Sequence, residues 1–217
     1  MVGPWLKALS SSALASKSVN FADIVRSRRM SRSFSDQSVD TSVIESCIDL
    51  ASRAPSAGKS QGWHVLLLEN ESTQRYWDVA LPVERRSGFA FPLLLQAPVI
   101  VLSMCDPTAY LERYSEPDKK TTGLGEGLDK WPAPYWTIDA SFATMTFLLA
   151  LEDAKLGALF FAHSNEEGLR KEFNIPDHIQ ILGTIAIGHE TKGQKRQGRS
   201  ADRIRRSVES IIHQKNW

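Results

Sequence analysis

The sequence predicts an α+β layered domain built on a mixed sheet, and three observations carry that reading. Short apolar runs bounded by turn residues, WHVLLLE at 63–69, PVIVLSM at 98–104 and ILGTIAIG at 181–188, have the length and continuity of buried strands. Segments with apolar residues at helical spacing are interleaved with them. Strict β–α–β repeats are missing, which argues against a purely parallel, doubly wound sheet.

The elements follow in chain order. Residues 1–20 are poor in acids and rich in serine, and lack the continuous apolar core of about 7–15 residues of a secretory signal. They read as a loosely ordered leader, with residues 21–217 expected to form one domain. Asn20 is a candidate cap for a first helix, FADIVRSRR. A second helix covers about 41–51, with Val43, Ile44, Cys47, Ile48 and Ala51 on one face, Asp40 as its cap and Pro55 ending the segment. After the first two strands, residues 115–136 are expected to be loop, because Pro117, Gly123, Gly125, Gly127, Pro132 and Pro134 interrupt regular structure. A loop of that length in a compact domain usually serves as a lid or binding loop. The longest helix, about 137–156, is apolar nearly all round and should be buried on most sides, with Gly157 stopping it. A short strand at 158–162, a helix at 165–173 and the strand at 181–188 precede a basic tail and a final VESIIH segment.

Composition narrows the function classes. A hydrophobic share of 42% and a charged share of 24% are ordinary for a soluble globular protein. No apolar run approaches the roughly 20 residues needed to span a bilayer, so no membrane association is expected. Cys47 and Cys105 lie in apolar surroundings without a CxxC or His-rich neighbour, which fits core residues of a protein in the reducing cytoplasm. The five histidines show no metal spacing. The net charge of +1 conceals a division: residues 1–32 carry +5, residues 33–191 carry −10 and residues 192–206 carry +6. Two distant basic segments on an acidic body require an explanation.

Two motifs and an aromatic cluster supply candidates. Arg28-Arg29-Met30-Ser31-Arg32-Ser33-Phe34 ends the first helix. Clustered guanidiniums are forked donors that never lose charge, which suits a phosphate, although helix C-termini attract cations for their own sake. Ala54-Pro55-Ser56-Ala57-Gly58-Lys59-Ser60-Gln61-Gly62-Trp63 joins the second helix to the first strand. Its small residues let backbone approach a planar ligand; the plainer reading is a Gly/Ser-rich connection. Trp131, Tyr135 and Trp136 on a Pro-stiffened loop can stack on a flat substrate or simply pin the loop or a subunit interface. Asp139, at the start of the long helix, reads as a capping or dipole-matching carboxylate.

Together the two motifs resemble the nitroreductase family of FMN-dependent oxidoreductases, in which a helix ending Arg-Arg-Ser-x-Arg-x-Phe is followed by Ala-Pro-Ser-x-x-Asn-x-Gln-Pro-Trp before a strand. The long apolar helix closing on LEDAKLGALFF and the basic residues before RRSVESIIH resemble later family features, so the likeness runs from about residue 21 to the end. It implies a three-layer α/β/α sandwich with a mostly antiparallel central sheet. It also implies an interlocked homodimer with FMN at the subunit interface. In such enzymes NADH or NADPH reduces FMN, and an electron-poor acceptor (a nitroaromatic, a quinone or a similar conjugated compound) then takes the site in a ping-pong cycle. Relatives also dehalogenate, oxidise peptide-derived rings, consume flavin or use a deazaflavin. From a different class, the basic segments could serve nucleic-acid binding; the acidic body and the lack of stacking aromatics among the charges argue against it.

Carried over by position, Arg28, Arg29 and Arg32 match the residues that hold the FMN phosphate and ribityl chain, with Met30 inside the same motif. Pro55, Ser56, Ala57, Lys59 and Gln61 match those along the flavin ring and ribityl hydroxyls. The turn at Phe161 and Ala162 would present a backbone N–H to the flavin, and Arg203 and Arg205 match a second phosphate clamp, with Arg199 a competitor. Three positions depart from the family. Met30 replaces a serine, removing a hydroxyl unless Ser31 or a backbone N–H substitutes. Lys59 replaces an asparagine, bringing a positive charge that would favour an anionic reduced flavin. Gly62 replaces a proline and is expected to loosen the segment mildly.

Overall fold

The computed structural model of the chain describes residues 20–191 and 202–217. The leader, apart from Asn20, and tail residues 192–201 lie outside the described residues, Arg199 among them. The helices are α1 (Phe21–Ser27), α2 (Thr41–Ser52), α3 (Glu71–Ala80), α4 (Val83–Arg86), α5 (Thr108–Ser115), α6 (Tyr135–Asp153) and α7 (Glu166–Phe173). The strands are β1 (Trp63–Glu69), β2 (Val99–Cys105), β3 (Gly157–Phe161) and β4 (Gln180–Gly188). Asn20 and Asp40 cap α1 and α2 as expected, accepting the N–H of Ala22 at 3.1 Å and of Ser42 at 2.9 Å.

The four strands form one sheet in the order β1-β2-β4-β3, every neighbouring pair antiparallel. Among the described residues the parallel component is one isolated bridge outside the strand pairs, Met30 with Ala158. Every residue of β2 is buried, which explains its unbroken apolar run: helices cover both faces. The pleat sorts the two faces. Ile100, Leu102 and Met104 join Tyr76, Trp77 and Leu169 from α3 and α7. Val99 and Val101 join Ile44, Cys47 and Ala51 of α2 and Phe147, Leu148 and Leu151 of α6. The result is the three-layer α/β/α arrangement.

The expectations for the helices and the long loop are refined. Helix α6 is buried on most sides as expected, but Phe142 and Met145 stay 49% and 42% exposed on one outward face. Residues 115–136 are not featureless, since three short 3-10 turns occupy Lys120–Thr122, Leu124–Glu126 and Leu128–Lys130. Helices α3 and α5 were not anticipated. Few apolar residues mark them, yet Tyr76, Trp77 and Tyr110 are buried.

Buried polar side chains are paired across the layers. Tyr76 Oη lies 2.8 Å from Thr184 Oγ1, and Ser103 Oγ lies 2.7 Å from Thr144 Oγ1 while accepting the Trp63 indole N–H at 3.1 Å. Burial pushes the Tyr76 hydroxyl up to about 12, so the folded chain keeps this proton where the unfolded chain loses it. Stability therefore falls as pH rises from the free-tyrosine value near 10 toward 12. Tyr76→Phe should cost about 1–3 kcal/mol in urea unfolding at neutral pH by orphaning Thr184, and should flatten that alkaline loss.

Candidate active site

The first motif is laid along a sheet edge. Strand β3 is an edge strand; the chain at Met30 and Ser31 uses its free backbone groups, and residues 33–35 run on beside the 189–191 segment that follows β4. Ser31 N–H donates to Ala158 O at 2.9 Å, Ser35 N–H to His189 O at 2.9 Å and Thr191 N–H to Ser33 O at 3.2 Å. The Met30 side chain turns inward, where its sulfur accepts the Phe160 N–H at 3.5 Å and packs against both core layers. Met30 thus fixes the segment and offers no side-chain ligand group. Ser31 does not replace the missing serine, because its hydroxyl is donated to Glu190 and its N–H is already bonded.

The guanidiniums differ in their commitments. Arg32 donates to Met30 O at 2.9 Å and lies over the Phe91 ring at 5.6 Å from its centroid. Arg29 is exposed and lines a polar cavity of about 330 Å³ with Glu152, Lys155, His189 and Glu190. Arg28, the C-cap of α1, keeps a buried Nη1 without a hydrogen-bond partner, and so does the hydroxyl of Thr191. Buried donors are normally satisfied, so unpaired donors on a cation-rich edge fit an anionic group such as phosphate. The sequence reading missed Thr191; no motif marks it.

The second motif lies on the other edge strand, before β1. Gly58, Lys59 and Gln61 have φ of 60°, 58° and 52°, the left-handed region that costs a side-chain-bearing residue about 1–3 kcal/mol. The turn is tied from within by Ser60 Oγ to Ala57 O at 2.7 Å and Gln61 N–H to Ser56 Oγ at 3.1 Å. Asp139 does not cap α6, whose N-cap is Pro134. It is 7% exposed, and its Oδ2 accepts both the Ala57 N–H and the Tyr110 hydroxyl at 2.8 Å. Gly62 is no loosening either. A Cβ there would stand 2.7 Å from Asp106 O and 2.8 Å from the Tyr110 ring, so the turn closes because the side chain is absent. Pro55, Ser56 and Gln61 line a cavity of about 70 Å³ with Asp139 and Tyr110 at its wall.

The aromatic cluster divides. Trp131 and Trp136 are buried, with Trp131 edge-on to Tyr110 and Tyr114 at 5.7 and 4.6 Å and its indole donating to Leu124 O at 2.9 Å. They pin the 116–134 loop to α5, whereas Tyr135 remains 36% exposed. At the far end of β3, Phe161 stacks on Trp77 at 6.1 Å and Ala162 is exposed. His163 faces Glu166 at 3.1 Å. Arg203 and Arg205 lie on an exposed C-terminal segment and form no ion pair among the described residues.

The two motifs do not converge within one chain. Arg28, Arg29, Met30 and Arg32 share the β3 edge with Phe161 and Ala162, four residues or about 13 Å along the strand from Gly157. The 55–61 turn sits at the opposite edge and opposite end, where Trp63 pairs with Cys105. Helix α6 measures the gap: Asp139 holds the turn and Glu152 lines the cavity beside Arg29, about 20 Å apart along the helix.

Comparison with known proteins identifies the family. The nitroreductase family model matches residues 25–189, and the chain belongs to that family of oxidoreductases. A 4-nitrobenzoate reductase of a Nocardioides species is 27% identical over 202 residues, covering 78% of this chain and 80% of the relative. An NADH dehydrogenase of Thermus thermophilus is 23% identical over 180 residues, covering 75% and 82%. The crystal structure of a nitroreductase family protein from Streptococcus pneumoniae superposes with a TM-score of 0.68 at 18% identity, covering 89% of this chain and 99% of that one. Among the described residues no helix is long and apolar enough to cross a membrane.

The packing around the turn yields a direct test. Gly62→Ala should destabilise the protein by about 1–3 kcal/mol through overpacking against Asp106 and Tyr110, measured by thermal unfolding. An unchanged midpoint would contradict the close approach.

Proposed function

We propose that the protein is an FMN-dependent oxidoreductase acting as a homodimer, taking electrons from NADH or NADPH and delivering them to an electron-poor acceptor such as a nitroaromatic or a quinone. The observation that carries this reading is the division of the site: one chain holds a phosphate-type clamp on its β3 edge and a ring-type turn about 20 Å away on its β1 edge. A second copy can bring the turn of one subunit to the clamp of the other. Exposed Phe21 and Val25 on α1, Leu50 on α2, and Phe142 and Met145 on α6 supply apolar surface for such a contact. On the C-terminal segment, Ile204, Val208, Ile211, Ile212 and Trp217 are exposed as well, and in this reading Arg203 and Arg205 beside them complete the clamp.

Bound FMN would supply the two-electron exchange between donor and acceptor. The chain's own residues bind and orient. Arg28, Arg29 and Arg32 neutralise the phosphate, with the Thr191 hydroxyl as a further donor. Pro55, Ser56 and Ala57 present backbone and small side chains to a planar ring, Lys59 and Gln61 add polar groups, and Phe161 and Ala162 bring backbone to its other side. Tyr135 is the exposed aromatic available to a flat acceptor, while Trp131 and Trp136 hold its loop. The relative named a 4-nitrobenzoate reductase supports a nitroaromatic acceptor. Two free, buried cysteines suit a reducing cytoplasm.

The protein should purify yellow, releasing FMN on denaturation, and NADH or NADPH should bleach it anaerobically until a nitroaromatic or quinone restores the colour. If neither nucleotide bleaches it, the reading fails. A mixing experiment tests the divided site. Arg28→Ala/Arg32→Ala and Lys59→Glu/Gln61→Glu chains should each retain little flavin, while co-expression should restore one intact site per heterodimer; no recovery would place the whole site in one chain. Lys59→Ala should lower the potential of the bound flavin by on the order of 10 mV for a two-electron couple, read by redox titration. A raised potential would contradict a cation at the ring.

A further inference from the structure

We propose that Asp139 and Arg113 form a two-point clamp that presets the 57–61 turn for its ligand, acting as positioning residues through the backbone. The proposal rests on the flavin reading above for what the turn contacts, but the clamp itself is a property of the chain alone. Asp139 Oδ2 accepts the Ala57 N–H at 2.8 Å, and Arg113 Nε donates to Gly58 O at 2.7 Å. Two adjacent residues of the turn are therefore gripped from opposite partners, a donor by a carboxylate and an acceptor by a guanidinium. Fixing those groups sets the orientation of the Ser56–Ala57 and Gly58–Lys59 peptides, which bracket the Ala57–Gly58 pair, and maintains the left-handed conformation that runs on from Gly58 into Lys59. A strained turn persists only where its surroundings over-determine it, and here they do.

Each jaw is itself held. Tyr110 donates its hydroxyl to the same Asp139 oxygen at 2.8 Å, which gives the buried carboxylate a second donor. Burial and the neighbouring Asp139 push the Tyr110 hydroxyl well above the ordinary tyrosine range, so it remains a donor. The remaining Arg113 nitrogens bind Asp118 at 2.8 Å for both Nη atoms and Glu116 at 3.1 Å. Asp118 and Glu116 open the 116–134 loop that Trp131 fastens and from which Tyr135 leads into α6. Arg113 thus touches the turn that would face the cofactor and the root of the loop that would face the acceptor. The Tyr114 ring adds a steric floor, since a Cβ at Gly58 would come within 3.0 Å of it.

Amide hydrogen exchange and FMN titration of the purified protein test this together. In the parent, the amides of Ala57, Lys59, Ser60 and Gln61 should be protected. Asp139→Ala should expose them and weaken FMN binding by about 10- to 100-fold, leaving exchange in β2 and β4 unchanged. Asp139→Asn keeps an acceptor oxygen for both donors and should stay close to the parent in exchange and affinity. Tyr110→Phe and Arg113→Ala, which remove one support each, should give intermediate opening and remain informative if Asp139→Ala fails to fold. In addition, Arg113→Ala should raise exchange in the 116–122 segment. Unchanged protection of the turn in Tyr110→Phe and Arg113→Ala, or loss spread evenly over the sheet, would overturn the clamp. A parent that binds no FMN would instead overturn the flavin reading, and the exchange data would still decide the clamp.

Discussion

Antiparallel pairing of β2 with β4 is the constraint from which the rest of the molecule is arranged. Both strands are buried along nearly their whole length, so neither can carry chemistry that needs solvent or ligand access. Their position at the centre pushes β1 and β3 to the edges, where backbone groups are left over. The N-terminal segment uses those groups on β3. On β1 the preceding turn is held by α5 and α6, so the functional backbone sits beside the core.

Buried polar groups are placed where the turn and the core meet. Trp63, Ser103 and Thr144 form a chain of hydroxyl and indole bonds beneath β1, and Tyr110 and Asp139 continue polar satisfaction toward the turn. Such networks rigidify when every member is paired and are costly when one is removed. Unpaired buried side-chain atoms among the described residues, by contrast, are Arg28 Nη1, the Thr191 hydroxyl, Trp77 Nε1 and His163 Nδ1. None of these unpaired atoms lies in the 55–61 turn, whose backbone is tied to α6 and by its own serines.

Much of this was legible in the sequence, for reasons that also explain the gaps. Strand β1 was read to the residue, and β2 and β4 to within one, because centrally buried strands leave unbroken apolar runs. Helix α2 was read from its face and its Asp40 cap. Helices α3 and α5 were missed because each contributes only one or two large buried residues amid polar ones. Asp139 was misread because proximity to a helix start resembles capping, whereas its partners are 82 and 29 residues away along the chain. Gly62 was misread because a missing side chain reveals nothing of the neighbours that require its absence. The motif residues themselves were found by resemblance, but their spacing in sequence concealed that they occupy opposite ends of the sheet.

That separation has a consequence for how the protein behaves as a population of molecules. If the two half-sites are completed only between copies, cofactor occupancy and subunit association are thermodynamically linked, and each must strengthen the other by the same factor. Dilution would then shed flavin as well as separate subunits, and free flavin would hold subunits together by mass action. The cofactor would be part of the adhesive of the assembly, and thermal resistance would depend on protein concentration and flavin supply together.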